Sequence, residues 1–232
     1  REGKASDYEI LIARLIDRAL RPLFPADYHA DTFVNVTMYS ADGIDMPESI
    51  AGLAASAALA CSDIPFEGPI SEVRVAKIDG QLVINPRMSA LKNASLEFMV
   101  AGSAADIVMV EGEASEISEA EMVEAIAFAH EAIKKQVAAQ TELANLVGST
   151  VKREFNHEPE NLALRADIFA ATYDQVYEIA KSGSTKHERT EKFAAIGQEF
   201  FATLGEELDE ETKFLAKKYY HDVQYDAVRN LV

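Results

Sequence analysis

The sequence predicts an α+β fold over residues 1–147 and an all-helical domain over residues 148–232. Three observations carry that division. Capped amphipathic segments flank a central stretch rich in β-branched residues, an Asp-Gly pair punctuates that stretch, and strand patterns stop beyond Gly148.

Taken in order, Ser6 with Glu9 forms a capping box that opens a helix ending near Pro22. Thr32 to Ser40 alternates and carries β-branched residues, which predicts a strand. Asp45 and Glu48, with Pro47 in the first turn, open a second helix. Through Cys61 that helix is almost entirely Ala, Gly, Ser, Leu and Ile, so it is expected to pack closely on a sheet. Val73–Ile78 and Leu82–Ile84 flank Asp79-Gly80, the pair that suits a type I′ hairpin turn. Leu96–Ala101 and Ile107–Val110 flank Gly102-Ser103 and predict another antiparallel pair. Ser118 with Glu121 caps a long helix whose apolar face is expected at Met122, Ile126, Ile133 and Val137. After Gly148, helices are expected over roughly 161–181, 185–204 and 209–231, broken at Ser182-Gly183-Ser184 and at Gly205. No internal repeat is evident.

Composition narrows the function classes. The 232 residues suffice for one large or two modest domains. There is no run of about 18 apolar residues, so no membrane span is expected, and no charged-then-apolar leader. Arg1 in place of Met predicts a piece of a longer protein. The single cysteine, Cys61, suits a reducing cytoplasm and reads as a small core residue. A net charge of −17 argues against broad attraction to nucleic acid. Residues 1–21, however, hold five Lys/Arg against four Asp/Glu, a balance of +1 that leaves −18 for the remainder. Any nucleic-acid contact is therefore expected in the opening segment.

Arg14, Arg18 and Arg21 are spaced i, i+4, i+7, so on a helix they stack along one face, with Leu11, Leu15 and Ile16 supplying the docking stripe. A rigid row of guanidinium groups suits phosphate binding. Spacing alone favours the plainer readings, a solvated basic face or Arg18 paired with an acidic residue.

The same stretch, REG-K-x-S followed by I-L-x-x-R-L-I-D-R-x-L-R-P-L-F-P, resembles the first ribonuclease PH-like domain of the bacterial polynucleotide phosphorylases. The resemblance continues through Ile64-Pro65-Phe66-Glu67-Gly68-Pro69-Ile70, Ile78-Asp79-Gly80, Val83-Ile84-Asn85-Pro86, Val108–Ala114 and Phe128-Ala129-His130-Glu131, covering residues 1 to about 147. It implies a truncated ribonuclease PH-like domain followed by the family's all-helical connector.

The activity the resemblance implies is phosphorolytic 3′-to-5′ degradation of single-stranded RNA, with inorganic phosphate as co-substrate, Mg²⁺ in the intact enzyme and a cytoplasmic homotrimer. In the family, a loop of aromatics and arginines ending in REG narrows the RNA channel, and the arginine helix follows it. RNA contacts therefore fall on Arg1, Lys4, Arg14, Arg18 and Arg21. Lys4 stands where the family often has arginine, which weakens a bidentate phosphate grip there, and Ala19 replaces a common proline. The family's metal and phosphorolytic residues belong to a second repeat absent here, so no catalytic or metal-ligating residue is assigned to this chain. The expected role is RNA guidance and ring building; the alternative is a structural or trimerisation module without RNA contact.

Other constellations are weaker. Glu111 and Glu113 point to one side of a strand, near Asp106, an arrangement that binds Mg²⁺ or shares a proton, yet a solvated strand end is the favoured reading. His29, His130, His157, His187 and His221 are too scattered for a metal site. Tyr219-Tyr220 and Phe200-Phe201 are expected in a helical core rather than as base-stacking platforms.

Overall fold

Local signals place most elements within a residue or two of expectation. The computed structural model describes residues 3–205 and 208–232, and the chain separates into two units, Arg1–Phe155 and Asn156–Val232.

In the first unit, α1 spans Asp7–Leu20 behind an Ser6 N-cap with both capping-box hydrogen bonds, and α2 spans Glu48–Ala60. Strands β1 (Ser71–Ile78), β2 (Gln81–Ile84), β3 (Ala94–Gly102) and β4 (Ile107–Ala114) form an antiparallel sheet of order β2-β1-β3-β4. The hairpin turn joins Ile78 to its partner Gln81, and both central residues, Asp79 and Gly80, have positive φ (51° and 79°), as a type I′ turn demands. α3 spans Glu119–Val147 behind the Ser118 capping box.

The sheet is covered on both faces. One face sends Val73, Val75, Leu96, Phe98 and Val100 against Ala125, Ala129, Ile133 and Val137 of α3. The other sends Met99, Ala101 and Met109 against Leu15, Ile16, Ala19 and Leu20 of α1 and Ala55 and Leu59 of α2. Lys152 ties the segment after α3 to α2: its ammonium donates to the carbonyls of Leu59, Ala60 and Ser62 at 3.1, 3.1 and 2.6 Å, satisfying the orphaned C-terminal end of that helix.

Three expectations are corrected. Thr32–Ser40 forms no strand: Phe33 is 85% and Tyr39 96% exposed. An alternating pattern becomes a strand only by pairing, and no strand lies alongside this segment among the described residues. The core face of α3 is Ala125, Ala129, Ile133, Val137 and Gln140, while Met122 is 41% exposed. Alanines take the inner positions because the helix runs close to the sheet, and Gln140 is admitted by a 2.8 Å bond to the Ile70 carbonyl. Finally, α2 has Pro47 at its N-cap with no side-chain cap, and Glu48 turns into the fold instead.

The second unit holds α4 (Leu162–Lys181), α5 (Lys186–Thr203) and α6 (Glu210–Leu231), capped by Asn161, Thr185 and Asp209. Its core gathers Ile168, Val176, Phe193, Ile196, Leu215 and Val223 around Tyr219 and Tyr220. Tyr219 accepts from the Asn161 amide at 2.9 Å and Tyr220 donates to the Phe193 carbonyl at 2.5 Å, so both rings are core with satisfied hydroxyls. Phe200 and Phe201 pack at the edge of the same core. Among the described residues no helix is long and apolar enough to cross a membrane.

Candidate nucleic-acid interface

The arginine helix is held in place by burial. Leu15, Ile16, Ala19 and Leu20 point inward, which leaves the polar face of α1 outward. Its first turn is pinned as well. Ser6 donates to the Glu9 carboxylate and holds it below its usual range, and the Tyr8 hydroxyl donates to Glu48 at 2.8 Å. Burial, then the bond to Glu48, pushes Tyr8 up to about 12.

On the outward face Arg14 and Arg18 line one cleft of about 250 Å³ together with Leu11, Leu15 and Glu111. Arg18 pairs with Glu111 of β4, both side chains about half exposed (51% and 45%). Arg14 is exposed and has no ion pair among the described residues. Arg21 lies past the last turn of α1, where the chain tightens into a short 3₁₀ segment, and donates to both Asp17 oxygens at 2.8 and 2.6 Å. It lines the neighbouring, larger cleft of about 730 Å³, whose walls include Ile12, Phe24, Val34, Val36 and Met38. Lys4 is exposed ahead of the helix, and Arg1 lies outside the described residues. The row read from spacing is thus split between two clefts, two arginines in one and the third in the next.

Glu111 and Glu113 do share a side of β4, the side facing α1, and both are exposed. Their chemistry does not suit Mg²⁺. The Glu111 carboxylate is engaged by a guanidinium, and no group of three or more His, Cys, Asp or Glu side chains is placed to hold a metal among the described residues. Cys61 is the half-buried C-cap of α2.

Sequence reasoning missed a buried charged cluster beneath α1 and α2. Arg74 on β1 bonds Glu48 of α2 and Glu97 of β3, Glu48 also receives Tyr8, and Glu72 is fully buried beside them. Neither Glu72 carboxylate oxygen has a hydrogen-bond partner among the described residues. Burial first, and then the Glu48 charge, raise Glu72 to about 8 against the pull of Arg74. The available signal was the alternation in Ser71–Ile78, which puts Glu72 and Arg74 on one face, together with a helix of small residues able to cover it.

Family models described as "3' exoribonuclease family, domain 1" and "3' exoribonuclease family, domain 2" match residues 1–65 and 68–132. The polyribonucleotide nucleotidyltransferase of Bacteroides fragilis is 58% identical over all of this chain and 33% of its own length. That of Phocaeicola vulgatus is 57% identical over the same shares, and that of Cytophaga hutchinsonii 48% identical over all of this chain and 32% of its own. The chain spans about a third of the length of the curated relatives it matches. It belongs to the 3′ exoribonuclease family, similar from end to end to one third of a polyribonucleotide nucleotidyltransferase.

Proposed function

We propose that this chain is the RNA-guiding, ring-building part of a phosphate-dependent 3′-to-5′ exoribonuclease, one that releases nucleoside diphosphates and acts as a cytoplasmic homotrimer. The intact enzyme uses inorganic phosphate and Mg²⁺; this part supplies cations to the RNA backbone and no catalytic group. The observation that carries the reading is the shared cleft of Arg14 and Arg18 on a buried-backed helix, in a chain whose remaining charge is strongly negative. Cations held this way fix the register of a polyanion, while the surrounding field confines it to them.

The test is RNA binding by the 232-residue chain, followed by anisotropy of labelled oligoadenylate. Arg14→Glu and Arg18→Glu are each expected to weaken binding roughly tenfold and to flatten the log–log salt slope by about 1. Adding phosphate and unlabelled oligoadenylate is expected to yield no ADP, and recovery of ADP would overturn the non-catalytic part of the reading.

A second reading has an observation of its own. Arg18 and Arg21 are each neutralised by a carboxylate, as they would be in a structural module that never meets RNA. Unchanged RNA affinity with a lowered melting midpoint in Arg18→Glu would favour it.

A further inference from the structure

Resting on the RNA-guiding reading of α1, we infer that Glu111 is a competing carboxylate: it holds the Arg18 guanidinium until an RNA phosphodiester displaces it, and so tunes RNA affinity. The position of Glu111 is set by its backbone. It sits inside β4, paired opposite Met99 of β3, so it is delivered to the mouth of the α1 cleft whether or not RNA is present. A carboxylate and a phosphodiester offer the same guanidinium fork the same kind of paired oxygen acceptors. The two therefore exclude each other at Arg18.

The exchange is easy in one direction. The pair is half exposed on both sides, and solvated ion pairs of this kind contribute only about 0–1 kcal/mol. α1 does not depend on it for placement, because four buried apolar residues and the Tyr8–Glu48 bond already dock the helix. The incoming phosphate gains a second cation that Glu111 does not engage, since Arg14 lines the same cleft without an ion pair among the described residues. Once displaced, the Glu111 charge stays on its strand within the cleft, with Glu113 on the same side, and opposes the phosphate. Glu111 thus lowers affinity and trims the number of counterions that binding releases.

The test uses the 232-residue chain, labelled oligoadenylate and a salt series. Glu111→Gln is expected to bind several-fold more tightly, with a log–log salt slope steeper by up to about one unit and an unchanged melting midpoint. In an Arg18→Gln background the same substitution is expected to gain much less. Equal gains in both backgrounds would reduce Glu111 to diffuse charge and overturn the exchange. So would unchanged or weaker binding by Glu111→Gln while Arg18→Glu still weakens it. If neither Arg14→Glu nor Arg18→Glu alters binding, it is the RNA-guiding reading itself that fails.

Discussion

At the scale of single residues, Glu72 has the most physical consequence outside the clefts. Its carboxyl is fully enclosed between β1 and α2, faces Glu48 and Arg74, and stays protonated up to about pH 8. In the unfolded chain the same group loses its proton in the ordinary carboxylate range. Folding therefore retains a proton that unfolding releases, so the contribution of Glu72 to stability is whole at low pH and is lost as pH rises to about 8. The expected loss is roughly 1 kcal/mol per pH unit across that window. Urea denaturation at pH 5, 6, 7 and 8 checks it: Glu72→Gln should flatten the decline seen in the parent chain. Equal slopes in the two proteins would show that Glu72 ionises freely in the fold.

At the scale of elements, α2 shows how a run of small residues becomes specific. A Cβ added at Gly52 would fall 2.2 Å from the Glu72 Oε1 and 2.5 Å from its Cγ, and the Glu72 side chain is fully buried, so something in the packed interior must shift. Gly52→Ala would gain helix propensity in an exposed helix. Here it is expected to lower stability by about 1–3 kcal/mol through overpacking, read as a lowered melting midpoint. Pairing Gly52→Ala with the shorter Glu72→Ala should recover part of the loss. The element without a partner tells the converse. Thr32–Ser40 has an alternating strand pattern but no ladder, and its Val34, Val36 and Met38 side chains end up walling the cleft beside α1.

At the scale of the whole molecule, two features stand out: charge segregation and two independent cores. The first 21 residues balance at +1 in a chain of net charge −17, so Arg14 and Arg18 stand against a repelling background, in a cleft whose lining also includes the carboxylates of Asp7 and Glu111. The second unit closes its core with its own residues, from Leu164 to Ala227, and caps each of its helices with its own side chains. Residues 156–232 made alone are therefore expected to be helical and to melt cooperatively by circular dichroism. A gradual, uncooperative loss of signal would show that this core needs the rest of the chain.

What the sequence by itself determined were features written within a few residues of one another. The capping boxes at Ser6 and Ser118, the Asp79-Gly80 turn and the breaks at Gly183 and Gly205 are all local signals, and all are found where expected. Half of the candidate cleft was equally open to reading, because a helical i, i+4 spacing fixes where Arg14 and Arg18 point. Only the tertiary structure decided that Glu111 meets Arg18, that Arg21 falls into a different cleft, that Glu72 and Arg74 are covered rather than solvated, and that residues 32–40 lack a partner. Each of those depends on groups brought together from distant parts of the chain, where burial and pairing outweigh local preference and no spacing rule reaches.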